Sequence, residues 1–174
     1  MAELTANEQK EPRTDLGGKQ PDQRRSAIHY NRILVPVTPS TAGERAVVTA
    51  ALLASERRTV ITLVHVLEVP KELPLNALFP EEEHEGQQLL RHASSILDHY
   101  SVHYQTRSMR SPTAAAAILE AAQDTNAQIL IIGTGLQARR GRTVFDRNVE
   151  TILKKASCRV MLVACPHAQD DTPS

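Results

Sequence analysis

The sequence predicts an α/β fold: an open, doubly wound sheet of five parallel strands with helices on both faces. Short apolar runs alternate with helical patterns between residues 32 and 165, as they do in folds built on a parallel sheet. Several of these runs are apolar at consecutive positions, which indicates strands that are covered on both faces. Right-handed crossovers between such strands leave few other topologies.

The first two strand–helix units follow from this alternation. Residues 32–37 form a predicted strand, and apolar residues at three-to-four spacing predict a helix over residues 42–57. A second buried strand is predicted over residues 60–66, where His65 is expected to have its hydrogen bonds satisfied. After a proline-bounded loop, a helix is predicted from about residue 81 to residue 100. Its inner stripe is expected to be Leu89, Leu90, Ala93, Ile96, Leu97 and Tyr100.

The next strand and helix are predicted from weaker signals. Residues 102–109 alternate loosely between polar and apolar, which is typical of an edge strand half open to water. Ser111 is the expected N-cap of the following helix, and Pro112 is expected in its first turn. Residues 114–122 fill that helix.

The last part of the domain holds a buried strand, a helix and a final apolar strand. The strand covers residues 128–132, the helix residues 148–156, and the final strand residues 159–164. The inward-facing residues of the helix are expected to be Val149, Ile152, Leu153 and Ala156. The complete pattern is that of a Rossmann-like sheet.

The final strand is strongly apolar although no later strand is available to pair with it. Its centre consists of Val160, Met161, Leu162 and Val163. An uncovered apolar edge invites pairing with another chain. The sequence therefore predicts a homodimer whose interface contains these four residues.

Composition and charge exclude several classes of function. The 174 residues contain 20 Lys and Arg against 20 Asp and Glu, so no excess of positive charge favours nucleic acid as a partner. The apolar runs are far shorter than the roughly 20 residues that cross a bilayer, so no membrane insertion is expected. The first residues lack a secretion signal and the two cysteines form no disulfide framework, which together predict a cytoplasmic protein.

The folded domain is expected to span residues 32–165. Residues 1–31 mix charges of both signs with few large apolar side chains, and residues 166–174 have the same polar character. Such segments bury too little surface to offset the entropy lost on ordering. Both ends are therefore predicted to be disordered tails.

The candidate binding site lies where two strands end. In a doubly wound sheet, ligands bind beyond the carboxyl ends of the strands, at the point where the strand order reverses. Glycines there allow a backbone to approach phosphate, and arginines supply paired donors. The alternative is a tight turn before a solvated basic loop that carries Arg139, Arg140 and Arg142. The candidate nucleotide- or phosphate-binding residues are Pro36, Val37, Thr38, Ile132, Gly133, Thr134, Gly135 and Arg147.

Four segments resemble the universal stress protein (UspA) family. They are Ile33-Leu-Val-Pro-Val37, Val64-His65-Val66, Gln128-Ile-Leu-Ile-Ile-Gly133 and residues 148–163. The resemblance extends over essentially all of residues 32–165. It implies an open sheet of five parallel strands that commonly dimerises through the last strand, and a role in stress response. ATP or AMP is the nucleotide that it implies as a ligand.

The nucleotide loop departs from the pattern of the nucleotide-binding members. Those members have Gly-x2-Gly-x9-Gly followed by Ser or Thr after the fourth strand, and an Asp at the end of the first. This sequence keeps the first glycine as Gly133. The later loop positions hold Leu136, Asp146 and Arg147. Thr38 stands in the position of the Asp. A carboxylate in place of a glycine repels phosphate, whereas the arginines attract it.

No set of catalytic residues accompanies this site. The sequence contains no Gly-x-Ser-x-Gly elbow, no HExxH pair and no full Walker loop. His84, His92 and His99 fall on one predicted helix, but their spacing separates them by about 10–12 Å, too far to share one metal ion. No catalytic residue and no metal ligand is therefore assigned, and an enzymatic role is not favoured.

Three functional hypotheses remain open. The first is a non-enzymatic, homodimeric signalling or regulatory protein of the universal stress type with a degenerate nucleotide or anion site. The second is an ATP- or AMP-binding protein with slow ATP hydrolysis or self-phosphorylation. The third is a regulatory module for a membrane transporter, because Val144-Phe145 resembles a loop in the universal-stress domains of amino-acid permeases and cation–proton antiporters.

Overall fold

Five parallel strands form one sheet with two helices packed on each face. The structure is a computed structural model that describes residues 29–54, 58–135, 137–139 and 142–165, without the side chains of residues 137–139 and 142–144. Most of the two predicted tails therefore lies outside the described residues. In chain order the elements are β1 (Arg32–Pro36), α1 (Thr41–Leu53), β2 (Val60–Glu68), α2 (Pro80–His99), β3 (His103–Ser111), α3 (Ala114–Asp124), β4 (Ile129–Gly135), β5 (Gln137–Arg139), β6 (Arg142–Val144), α4 (Arg147–Lys155) and β7 (Arg159–Cys165).

The strand order in the sheet is β3-β2-β1-β4-β7, and every neighbouring pair is parallel. This confirms the predicted fold class, an open, doubly wound, Rossmann-like α/β sheet. The first three strands build one side of the sheet, and the chain then returns to the centre to add β4 and β7 on the other. The two edges are β3 and β7, as the sequence predicted.

Odd- and even-numbered residues of β1 face different helix layers, because successive side chains of a strand point to opposite faces of the sheet. Ile33 and Val35 pack with α1 and α2, whereas Leu34 packs with α3 and α4. Burying a leucine of this kind contributes about 1.5–3 kcal/mol. The helices on both faces therefore follow from strands that are apolar at consecutive positions.

A short antiparallel hairpin of β5 and β6 follows β4, in a segment that the sequence predicted only as a basic loop. Gln137 pairs with Val144, and Arg139 pairs with Arg142. Each strand has three residues. So few residues cannot show the alternation of polar and apolar side chains by which a strand is predicted from sequence.

The predicted start of α3 at Ser111 is wrong. β2 and β3 stay in register as far as the pair Glu68 and Ser111, so Ser111 is the last residue of a strand. The N-cap is Thr113, whose Oγ1 accepts from Ala116 N at 3.4 Å. The ladder to β2 thus overrides the local Ser-Pro signal and delays the helix by two residues.

Two residues that were predicted to face inward are exposed. Leu153 keeps 45% of its surface exposed, because the buried stripe of α4 consists of Val149 and Ile152. Tyr100 keeps 38% exposed, since α2 ends at His99 and the tyrosine ring packs edge-on against that histidine instead of the core. Leu153 thus lies beside the buried stripe of α4, and Tyr100 lies past the last residue of α2.

Candidate ligand cleft

A cleft opens where the carboxyl ends of β1 and β4 separate. These neighbouring strands pair at only two positions, Ile33 with Ile129 and Leu34 with Leu130. Beyond them the chain leaving β1 bonds to β2, with Val37 N donating to Val64 O at 2.8 Å. The strand order reverses at this point, where doubly wound sheets bind ligands. The cleft between the two strand ends has a volume of about 330 Å³.

Six of the eight candidate residues line this cleft. They are Pro36, Thr38, Ile132, Gly133, Thr134 and Gly135. Val37 is buried in the core and lines a smaller pocket between α1 and α2. Arg147 begins α4 with an exposed side chain and is not among the lining residues. Leu136 and Arg140, and the side chains of Arg139 and Arg142, lie outside the described residues.

Gly133 brings β4 against the first turn of α1. A Cβ atom at this position would overlap the carbonyl group of Ala42 and the backbone nitrogen of Gly43. No side chain fits between the strand and the helix. Packing therefore requires a glycine at this position, independently of any ligand in the cleft.

Two hydroxyl groups form the wall of the cleft at the start of α1. Ser40 is the N-cap, and its Oγ accepts from Gly43 N at 3.0 Å. Thr38 Oγ1 lies 3.0 Å from Ser40 Oγ, so the two hydroxyls share a hydrogen bond. Both residues are exposed.

Glu68 links the starts of α3 and α4, which both contribute lining residues to the cleft. Its Oε1 accepts from Ala114 N, the first residue of α3, at 2.5 Å, and from Asn148 Nδ2 in α4 at 3.4 Å. Sequence reasoning missed this residue, because its partners lie 46 and 80 positions away. The available signal was a carboxylate at the end of a strand, on the same sheet edge as the candidate loops.

Asp146 lines the cleft and caps α4. Its Oδ1 accepts from Asn148 N at 2.9 Å, which makes it the N-cap of α4. The negative carboxylate is favourable there, since the N-terminus of a helix carries partial positive charge. The residue that replaces a family glycine thus has a structural role of its own.

The described lining of the cleft combines apolar side chains with one carboxylate. Ile118, Ile132 and Val149 line its apolar part. Among the described lining residues, Asp146 is the only one with a charged side chain. The chemistry offered to a ligand is therefore an apolar surface, hydroxyl groups and a carboxylate acceptor.

Two titratable groups away from the cleft have shifted pKa values. Burial lowers the pKa of His65, whose Nδ1 is buried and has no hydrogen-bond partner among the described residues, so the expectation of a satisfied histidine is wrong. Burial raises the pKa of the Cys158 thiol, against a smaller opposing effect of a backbone hydrogen bond.

Within the described ranges, no three His, Cys, Asp or Glu side chains come together as metal ligands. Nor does any helix of that part of the chain have the length and hydropathy to cross a membrane.

Solved structures with the same architecture include a hypothetical protein named MJ0577, with 17% identity, a TM-score of 0.67, and coverage of 81% of this chain and 100% of that one. A universal stress protein from Archaeoglobus fulgidus has 20% identity, a TM-score of 0.63, and coverage of 80% and 97%. An Archaeoglobus fulgidus universal stress protein in complex with dAMP has 21% identity, a TM-score of 0.60, and coverage of 78% and 99%. At these identities the likeness shows the fold. A comparison with curated proteins found no significant match.

The sequence profile of the universal stress protein family matches residues 29–164, which include every helix and strand from β1 to α4 and nearly all of β7. The match therefore extends over the whole sheet, both helix layers and the cleft between β1 and β4. With this match and the shared architecture, the chain belongs to the universal stress protein family.

Proposed function

We propose that this protein is a cytoplasmic, homodimeric, non-enzymatic regulatory protein that binds a nucleoside- or nucleotide-type ligand in the cleft between β1 and β4. The observation that carries the proposal is the cleft itself, at the switch point of the sheet. Its volume of about 330 Å³ falls at the lower end of the range for small-molecule sites. A related Archaeoglobus fulgidus protein is known in complex with dAMP, which supports a ligand of this class.

The hydroxyl groups in the cleft favour binding over catalysis. Thr38 and Ser40 hydrogen bond to each other, and Ser40 also caps α1. Among the described lining residues no histidine, lysine or cysteine lies beside them to act as a base. Asp146, the one ionisable group there, already accepts a hydrogen bond from Asn148 N. A nucleophile of this kind needs an adjacent base for activation.

The homodimer is proposed through β7, which is an edge of the sheet. Every residue of β7 is exposed or half-buried in the single chain, whereas the first four residues of its neighbour β4 are buried. Val160, Met161, Leu162 and Val163 are half-buried. Covering such an edge with a second copy would complete their burial. Association with a transporter stays a prediction, since the side chain of Val144 lies outside the described residues.

Ligand binding is tested by thermal unfolding of the purified protein with nucleosides and nucleotides. A ligand present at 100 times its dissociation constant should stabilise the fold by about 2.7 kcal/mol. Ala114 lines the cleft, so Ala114→Phe should abolish this shift. Ala116→Phe is the matched control, because it introduces the same side chain at an exposed position of the same helix. Equal shifts in both variants, or none in the natural protein, contradict binding in the cleft.

Catalysis is tested by following release of phosphate from ATP. The proposal expects no turnover above the background without protein. Protein-dependent turnover that is lost in Thr38→Ala would favour the alternative of slow ATP hydrolysis or self-phosphorylation.

A further inference from the structure

We propose that the cleft selects an uncharged nucleoside over its phosphorylated forms, and that Glu68 and Asp146 are the residues that exclude phosphate. This inference rests on the proposed function, since it names the ligand class of the same cleft. Its basis is the way in which α3 and α4, two of the three helices that begin at the cleft, are capped. The third helix, α1, is capped by the hydroxyl group of Ser40, and Gly133 packs directly against its first turn.

The N-terminus of a helix is the usual place for a phosphate in α/β folds, because its free N–H groups point at the anion. At the start of α3 and of α4, one of those N–H groups already has an anionic partner from the chain itself. Ala114 N at the start of α3 donates to Glu68 Oε1 at 2.5 Å, and Asn148 N in α4 donates to Asp146 Oδ1 at 2.9 Å. A phosphate would have to displace a carboxylate from either helix or sit beside it.

The charge of the described lining reinforces this exclusion. Asp146 is its only charged side chain, and Glu68 lies between two lining residues, Ala114 and Asn148. A phosphate would add negative charge next to two carboxylates. Arg147 follows Asp146 directly in the sequence but does not line the cleft. Like charges at close range disfavour the anion, and salt weakens the effect.

The remaining chemistry suits the unphosphorylated part of a nucleotide. Carboxylates at strand ends accept hydrogen bonds from ribose hydroxyls in dinucleotide-binding folds. Ile118, Ile132 and Val149 offer an apolar surface to a flat ring. Thr38 and Ser40 supply further hydroxyl groups at the rim. A nucleoside satisfies the acceptors and the apolar surface together, without placing charge against charge.

The test measures the affinity of the full-length protein for four matched pairs by calorimetry: adenosine and AMP, guanosine and GMP, cytidine and CMP, uridine and UMP. For the pair that binds best, the nucleoside is expected to bind at least tenfold more tightly than its monophosphate at low salt. The difference should shrink as salt is raised. A nucleoside preference that does not change with salt would mean that charge is not its cause, and would overturn the assignment to Glu68 and Asp146.

Two near-isosteric variants assign the effect to the carboxylates. Glu68→Gln and Asp146→Asn remove charge but keep an oxygen that accepts from the helix N–H groups. Each should raise the ratio of monophosphate affinity to nucleoside affinity at least threefold. Glu120→Gln is the control, since it removes an exposed charge from α3 away from the cleft.

The outcomes separate the inference from the proposed function. Tighter binding of a monophosphate than of its nucleoside by the natural protein overturns the inference and leaves cleft binding standing. A ratio of affinities that stays the same in both variants overturns the roles of Glu68 and Asp146. Absence of binding for all eight compounds overturns the proposed function, and the inference with it.

Discussion

The imidazole ring of His65 lies directly against the α-carbon of Gly86, where α2 packs on β2. A Cβ atom added to Gly86 would overlap the ring atoms of His65. The ring is held there with its Nδ1 buried and unpaired among the described residues. A glycine in the interior of a 20-residue helix is therefore explained by the side chain beneath it.

Gly86→Ala should destabilise the protein by about 1–3 kcal/mol, because the His65 ring must leave its position. The same substitution in a His65→Ala background should stabilise it by about 0.5–1 kcal/mol, since alanine is the better helix former. Urea unfolding of the four proteins measures this reversal of sign. Gln87→Ala, at the exposed neighbouring position, should have little effect in either background. Additive effects would mean that the two residues do not touch.

The stability of the fold should decline as pH falls below about 7, because of His65. Burial lowers the pKa of His65 in the folded state from the ordinary value of 6.5, so the unfolded chain binds more protons below that pH. The contribution of His65 is thus present above its unfolded pKa and is lost as pH falls through the unfolded and then the folded pKa. Unfolding free energies between pH 5.5 and 8 measure the slope. His65→Gln should flatten it, and an unchanged slope in this variant would assign the pH dependence to other groups.

Gly133→Ala should destabilise the fold by about 1–3 kcal/mol and weaken ligand binding, since β4 must move away from the start of α1. Urea unfolding and the thermal ligand shift measure the two effects. Gly135→Ala provides the comparison, because Gly135 lies exposed at the end of the same strand. If both alanine variants were equally stable, the close approach of Gly133 to Ala42 would not constrain the fold.

Val163→Lys should raise the monomer fraction, because a lysine in the apolar edge of β7 opposes pairing with a second copy. Sedimentation measures the monomer fraction. Ala164→Lys tests the same edge at a position that is already exposed, so it does not depend on whether Val163→Lys still folds. Leu78→Lys is the control, since Leu78 is 88% exposed in the loop between β2 and α2. A dimer that survives both β7 substitutions has its interface elsewhere.

The strands and the position of the cleft could be predicted from sequence because their signals are local. Runs such as residues 33–35 and 129–132 are apolar at every position, and the switch point follows from the order of the elements. The start of α3 could not be predicted, since the pairing of Ser111 with Glu68 joins residues far apart in the chain and outweighs the Ser-Pro signal. The bond from Glu68 to Ala114 was hidden for the same reason. The cap by Asp146 spans only two residues and was readable, but the position was interpreted as a lost glycine.

The two-position ladder between β1 and β4 also has a mechanical consequence. The other strand pairs, β1–β2, β2–β3 and β4–β7, are in register over five, nine and seven positions. The pair with the fewest ladder positions is therefore β1–β4, inside the sheet and next to the cleft. Local opening favours regions with few backbone hydrogen bonds. A ligand bound in the cleft would contact the ends of both strands, so its binding should slow amide hydrogen exchange along the facing edges of β1 and β4.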